Sequence, residues 1–139
     1  TIVHGDYRLD NMILKNNEVV GILDWELSTL GHPIADFSYH CLSWRTQEAF
    51  WDEAKLKELG IPSEREYMEM YCENSGKDLS KNWEFYMAFN MFKIAGILQG
   101  ILGRVRDGTA ASKHAEERGN MVFPLSEAAW STIEENFLK

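Results

Sequence analysis

Two short clusters hold the residues of this chain whose types suit chemistry: His4-Gly5-Asp6-Tyr7-Arg8-Leu9-Asp10-Asn11, and further on Ile22-Leu23-Asp24-Trp25-Glu26. Asp6, Asn11 and Asp24 offer side-chain oxygens, and Arg8 is the only cation within the first loop. Convergent carboxylate and amide oxygens suit a hard cation such as Mg²⁺, which takes one or two protein carboxylates and completes its shell with waters and phosphates. A remaining carboxylate can orient a hydroxyl and accept its proton. Phosphoryl transfer asks for this division of labour: little covalent chemistry, much positioning and charge neutralisation. The same residue types are also common at turns and strand ends, where Asp and Asn bond nearby backbone.

The elements between the clusters decide whether those oxygens meet. Met12-Ile13-Leu14 and Val19-Val20-Gly21-Ile22-Leu23 read as short apolar strands, and Lys15-Asn16-Asn17-Glu18 as a tight turn, since Asn tolerates positive φ. A two-residue turn at Asn16-Asn17 pairs Lys15 with Glu18, and so Asn11 with Ile22. Asp24 then falls just past the open end of the hairpin beside Asn11, and Asp6 lies on the loop entering the first strand. Thr1-Ile2-Val3 reads as a strand end. Pro33 suits the first turn of a helix running from Ile34 to Trp44. Helices are predicted over 47–59, ended by Gly60; over 64–75, opened by a Ser63/Glu66 capping box and stopped by Gly76; and over 82–104. Another starts at Thr109 or Ser112 and reaches Arg118, and the last runs from Pro124 to Phe137. The fold class is α+β, mainly α: a small hairpin on a helical body.

His4-Gly5-Asp6 with Asn11 five residues after the Asp resembles the kinase catalytic loop H-R-D-x-x-x-x-N, with Gly in place of Arg. With the hairpin and Ile22-Leu23-Asp24-Trp25 after it, the pattern resembles the aminoglycoside-phosphotransferase and choline-kinase-like family. Leu23-Asp24-Trp25-Glu26-Leu27-Ser28-Thr29-Leu30-Gly31-His32-Pro33, with Asp36, is most similar to the subgroup joined to acyl-CoA dehydrogenases. The resemblance rests on the first 40 or so residues. It implies a protein-kinase-like C-terminal lobe across 1–139, with 1–40 as the catalytic and metal-binding segment and 41–139 as the helical substrate-binding part. It implies Asp6 as catalytic base and Asn11 and Asp24 as ligands of Mg²⁺ and hence of ATP. Arg8 would meet the transferring phosphate, or else pair with Asp10 at the surface. His4 would brace the loop. Asp36 would hold the catalytic-loop backbone, or act only on the helix dipole. Glu26 either binds a second metal or bonds a loop N–H, and His32 reads as a loop residue.

With 139 residues, 45% hydrophobic and 26% charged, the chain has room for one domain with a core. A formal charge of −8 argues against nucleic-acid binding, which needs a basic face. Cys41 and Cys72 lack metal spacing and read as buried thiols in a reducing, cytoplasmic setting. Thr1-Ile2-Val3 shows no basic n-region of a signal peptide, and the chain opens inside a strand, as a piece of a longer protein would. Segment 82–104 is apolar on nearly every face. Asn90, Lys93 and Gln99 inside it favour a central helix enclosed by others over a membrane span. Trp44, Trp51, Tyr67, Tyr71, Trp83, Tyr86 and Phe89 read as core aromatics or as walls of an acceptor pocket. Lys93 needs a buried partner or an anionic substrate group.

The expected function is Mg²⁺- and ATP-dependent phosphorylation of a hydroxyl on a small molecule, with a hydroxyacyl thioester or related metabolite as acceptor and a fused or associated acyl-CoA-dehydrogenase-like domain as partner. No phosphate-covering loop or strand Lys precedes the catalytic loop, and no G-x-G-x-x-G or P-loop follows it, so the piece alone should bind ATP poorly. The alternatives are a pseudokinase-like binding module of a multidomain protein, which the intact Asp6, Asn11 and Asp24 oppose, and a metal-dependent phosphoester hydrolase.

Overall fold

The structure of the chain, a computed structural model, describes residues 1–46, 53–79 and 81–139. Its elements are β1 (Ile2–Val3), β2 (Met12–Lys15), β3 (Glu18–Ile22), β4 (Thr29–Leu30), α1 (Ile34–Cys41), α2 (Ser43–Thr46), α3 (Glu53–Glu58), α4 (Glu64–Ser75), α5 (Trp83–Arg106), α6 (Ala115–Asn120) and α7 (Val122–Phe137). The architecture is α+β and mainly α. Two compact units divide it, Thr1–Trp83 and Glu84–Lys139. The change from strands to helices falls between Leu30 and Ile34, inside the first unit and earlier than the expected division at residue 40.

The β2–β3 hairpin forms where its turn residues dictate. Asn16 (φ 52°) and Asn17 (φ 63°) are both left-handed, as a two-residue turn matched to strand twist requires. Lys15 pairs with Glu18 and Leu14 with Val19, but Ile13 pairs with Gly21 and Met12 with Ile22. One extra residue, Val20, is therefore bulged out of β3. This corrects the expected register: Asn11 faces Leu23, not Ile22, and its carbonyl accepts the Leu23 N–H at 2.8 Å. Asp24 is thus the first residue beyond the hairpin's last backbone bond. A second, unexpected pairing joins β1 to β4, with Ile2 opposite Leu30 and Val3 opposite Thr29.

Helix α1 stops at Cys41, short of the predicted Trp44. The Leu42 N–H bonds Tyr39 O, three residues back, which tightens the last turn before α2 resumes. The predicted 47–59 helix is seen as α3 over Glu53–Glu58; its first part, with Trp51, lies outside the described residues. Helix α4 has the predicted bounds. Ser63 Oγ accepts the Glu66 N–H at 3.3 Å, and the Ser63 N–H donates to Glu66 Oε2 at 2.8 Å. Gly76 closes the helix at φ 67°. The core of the first unit is aromatic. Phe37 stacks on Tyr71 with centroids 3.9 Å apart and meets Trp83 at 5.5 Å, while Trp44 stacks on Tyr67 at 5.4 Å.

Helix α5 corrects the expectation of an enclosed central helix. Trp83, Met87, Met91 and Ala95, spaced by four, are buried with Ala88 and Asn90, whereas Phe85, Phe89 and Phe92 are exposed. By length and composition alone α5 could cross a membrane, and 28% of its most apolar 18-residue window is buried. Helix α6 starts at Ala115, later than predicted. Helix α7 starts at Val122, which puts Pro124 in its first turn, where no N–H is required. In the second unit Gly119 allows close approach to α5: a Cβ there would stand 2.4 Å from Leu102 Cδ2.

Candidate active site

The loop from His4 to Asn11 is held from three sides. In the first turn of α1, Asp36 takes the Gly5 N–H on Oδ1 at 2.8 Å and the His4 N–H on Oδ2. A carboxylate is favoured there by the unpaired N–H groups and dipole of the helix start. Gly5 sits at φ 86°, and a Cβ on it would lie 2.5 Å from Leu27 O, so no side chain fits.

His4, 3% exposed, bridges the loop to the end of the hairpin. Its Nδ1 accepts the Asp6 N–H at 3.2 Å, which leaves the proton on Nε2 to be donated to Leu23 O at 2.8 Å. The ring packs against Trp25, centroids 4.7 Å apart, and the Trp25 indole N–H donates to Ile22 O at 2.8 Å. The backbone on either side of Asp6 and Asp24 is thereby tied together through one imidazole.

Asp6 is half-buried, and both its carboxylate oxygens are engaged. Oδ1 accepts from the Tyr39 hydroxyl at 2.8 Å, and Oδ2 from Asn11 Nδ2 at 2.9 Å. Asn11 Nδ2 also reaches Asp6 O at 2.9 Å. The amide of Asn11 spends its nitrogen on Asp6 and so turns its oxygen the other way. Asp24 adopts the left-handed conformation (φ 64°, ψ 56°), and its carboxylate does not cap the single 3₁₀ turn Trp25–Leu27 that follows. A non-glycine residue in that conformation costs about 1–2 kcal/mol, which Asp and Asn tolerate best. The donor set, one amide oxygen and one carboxylate, fits a small hard cation that brings phosphate oxygens with it. Among the described residues no cluster of three His, Cys, Asp or Glu side chains could hold a metal by itself.

Arg8 donates to Asp10 Oδ2 at 2.6 Å, and both side chains are exposed. Partial burial works against its charge, but Asp10, and after it Asp6 and Tyr39, outweigh this and leave its pKa raised. His32 Nδ1 accepts the Ile34 N–H at 3.3 Å, as a loop residue at a helix start does. Glu26 sits exposed in the 3₁₀ turn. Next to the loop lies an open cavity of about 400 Å³, walled by Tyr7, Phe37, Tyr67, Met70 and Tyr71 with Asn74 among its lining. Lys93 belongs to a separate groove of the second unit, with Phe85, Phe89, Phe92 and Ile133.

Tyr39 was not singled out by the sequence. Burial, then its bond to Asp6, pushes the phenol up to about 12. The available signal was its place three residues after Asp36, on the same face of α1.

Loop, hairpin and helical body have the architecture of the kinase-like class. The Phosphotransferase enzyme family matches residues 1–71, and the chain belongs to that family. A solved structure from Ralstonia eutropha JMP134, named as a candidate aminoglycoside phosphotransferase, is 47% identical and superposes with a TM-score of 0.84, over 97% of this chain and 43% of its own. Mouse acyl-CoA dehydrogenase family member 10 is 44% identical over 94% of this chain, and human acyl-CoA dehydrogenase family member 11 is 36% identical over 98%. The chain spans 13% and 18% of the length of those two relatives.

Proposed function

We propose that this chain is the catalytic C-terminal lobe of a small-molecule kinase that transfers a phosphoryl group from ATP to a hydroxyl. The observation that carries the reading is the fixed carboxylate of Asp6, locked beside an amide whose oxygen is turned outward, with Asp24 at the hairpin end. Asp6 orients the acceptor hydroxyl and takes its proton as the new P–O bond forms. Asn11, through its amide oxygen, and Asp24 hold Mg²⁺. When bound, that ion neutralises the charge of the phosphates. Arg8 meets the transferring phosphate. Its exposed pair with Asp10 is worth about 0.2–1 kcal/mol, too little to oppose exchange for a phosphate oxygen.

The acceptor enters by the aromatic cavity beside Tyr7. The names of the relatives favour a hydroxyacyl thioester or related metabolite, with an acyl-CoA-dehydrogenase-like domain in the same protein; the free thiols of Cys41 and Cys72 suit a reducing, cytoplasmic setting. The test is Mg²⁺-dependent ATP consumption by the full-length protein against a panel of hydroxylated metabolites, including hydroxyacyl thioesters. Consumption with one acceptor, reduced about 10²–10⁴-fold in Asp6→Asn, supports the reading. Equal consumption by the variant refutes it.

A further inference from the structure

Helix α1 turns two polar side chains, three positions apart, toward the same loop. Asp36 grips its backbone at His4 and Gly5. Tyr39 grips a side chain, the carboxylate of Asp6, at 2.8 Å. A free carboxylate rotates about its Cβ–Cγ bond and presents its lone pairs in many directions. Here Oδ1 is committed to Tyr39 and Oδ2 to Asn11, so the plane of the group is fixed. Each oxygen keeps one further acceptor direction, and those two directions define where an acceptor hydroxyl can dock.

We propose that Tyr39 is a positioning residue for the reaction: its hydroxyl aims the Asp6 carboxylate at the acceptor hydroxyl. This rests on the phosphotransferase reading above. A phenol suits the task for two reasons. It is a neutral donor, so it orients the carboxylate without cancelling the charge that draws the proton. With its pKa pushed up to about 12, it stays a donor throughout the neutral range and never competes for that proton. Arg8 also acts on the hydroxyl, pulling its pKa down, which places the phenol between the carboxylate that orients the acceptor and the cation assigned to the phosphate.

Tyr39→Phe removes the hydroxyl and keeps the ring. In the full-length protein it should lower kcat about ten- to a hundredfold, the range of one hydrogen bond to a charged group. The KM for ATP should stay within about twofold, because Asn11, Asp24 and Arg8 all keep their own side chains. The effect should therefore fall on kcat and spare KM, as expected of a group that acts on the reacting hydroxyl rather than on the nucleotide. A merely structural role would lower the thermal midpoint and raise the KM for ATP along with the loss of kcat. In parallel, ¹³Cζ-tyrosine NMR, with Tyr39 assigned from the Tyr39→Phe spectrum, should show its phenol titrating near 12 in the wild type and lower in Asp6→Asn.

Unchanged kcat in Tyr39→Phe overturns this inference alone, as does a fall in kcat matched by a rise in the KM for ATP, or a Tyr39 titration indifferent to Asp6→Asn. No Mg²⁺-dependent ATP consumption by the wild type overturns the phosphotransferase reading and this inference with it.

Discussion

Replacing Asp36 tests whether the loop is held by two hydrogen bonds or merely lies near a helix end. Asp36 accepts the N–H groups of His4 and Gly5 with separate oxygens. Hydrogen bonds to a charged group are worth about 1.5–3 kcal/mol each. Because Asp36 is only partly buried, the lower end applies, and Asp36→Ala should cost about 3 kcal/mol. Asp36→Asn should cost nearly as much: its oxygen can serve one N–H, but its NH₂ then faces the other, donor against donor. If only the helix dipole mattered, both variants would lose about 0.3–1 kcal/mol. Amide hydrogen exchange at His4 and Gly5 reads the difference directly. A 3 kcal/mol loss of local stability speeds exchange by about a hundredfold. Exchange less than about fivefold faster in both variants would refute the two-bond account.

Further outcomes follow from the rest of the fold. Gly119→Ala should destabilise the second unit by about 1–3 kcal/mol in denaturant unfolding, because its Cβ would stand 2.4 Å from Leu102 Cδ2 in a packed contact. Ser63→Ala should cost about 1 kcal/mol, since it removes the side-chain half of the α4 capping box; urea unfolding measures it. The Cys41 thiol is pushed from 9.0 up to about 12, first by burial and then by Glu64. Folding holds its proton on, so above pH 9 the unfolded chain binds fewer protons and Cys41 makes stability fall as pH rises toward 12. Denaturant unfolding of wild type and Cys41→Ala between pH 8 and 11 should show a steeper decline in the wild type. Under native conditions at pH 8, a thiol reagent should label Cys72 well before Cys41, which is fully buried.

What the sequence made legible was local. Asn16-Asn17 named its own turn, Ser63 and Glu66 their own cap, and the hairpin returns the chain to Asn11 one residue before Asp24. The bulge at Val20 was hidden, because either register keeps an apolar hairpin. Strand β4 was hidden because two residues carry no periodicity and its partner lies some thirty positions away. The break at Leu42 was hidden because the apolar pattern of α1 runs on through Trp44. Tyr39 drew no reading from the sequence; only its distant partner, Asp6, gives its hydroxyl a purpose. The exposed row Phe85, Phe89 and Phe92 shows the limit of composition: an apolar face is a capacity for burial, not evidence of what buries it.

The contacts that fasten the loop advance in step along two segments of the chain. Ile2 meets Leu30, His4 and Gly5 meet Asp36, and Asp6 meets Tyr39, each pair enclosing about the same span of chain. Closing the first pair bears nearly the whole loop-closure entropy of some thirty residues; each later pair adds an enthalpic contact at almost no further chain cost. The segment behaves as a zipper with one slow tooth. It should assemble or open as a unit, so a substitution at any single tooth loosens all of them, and partly formed sites should be scarce in the population.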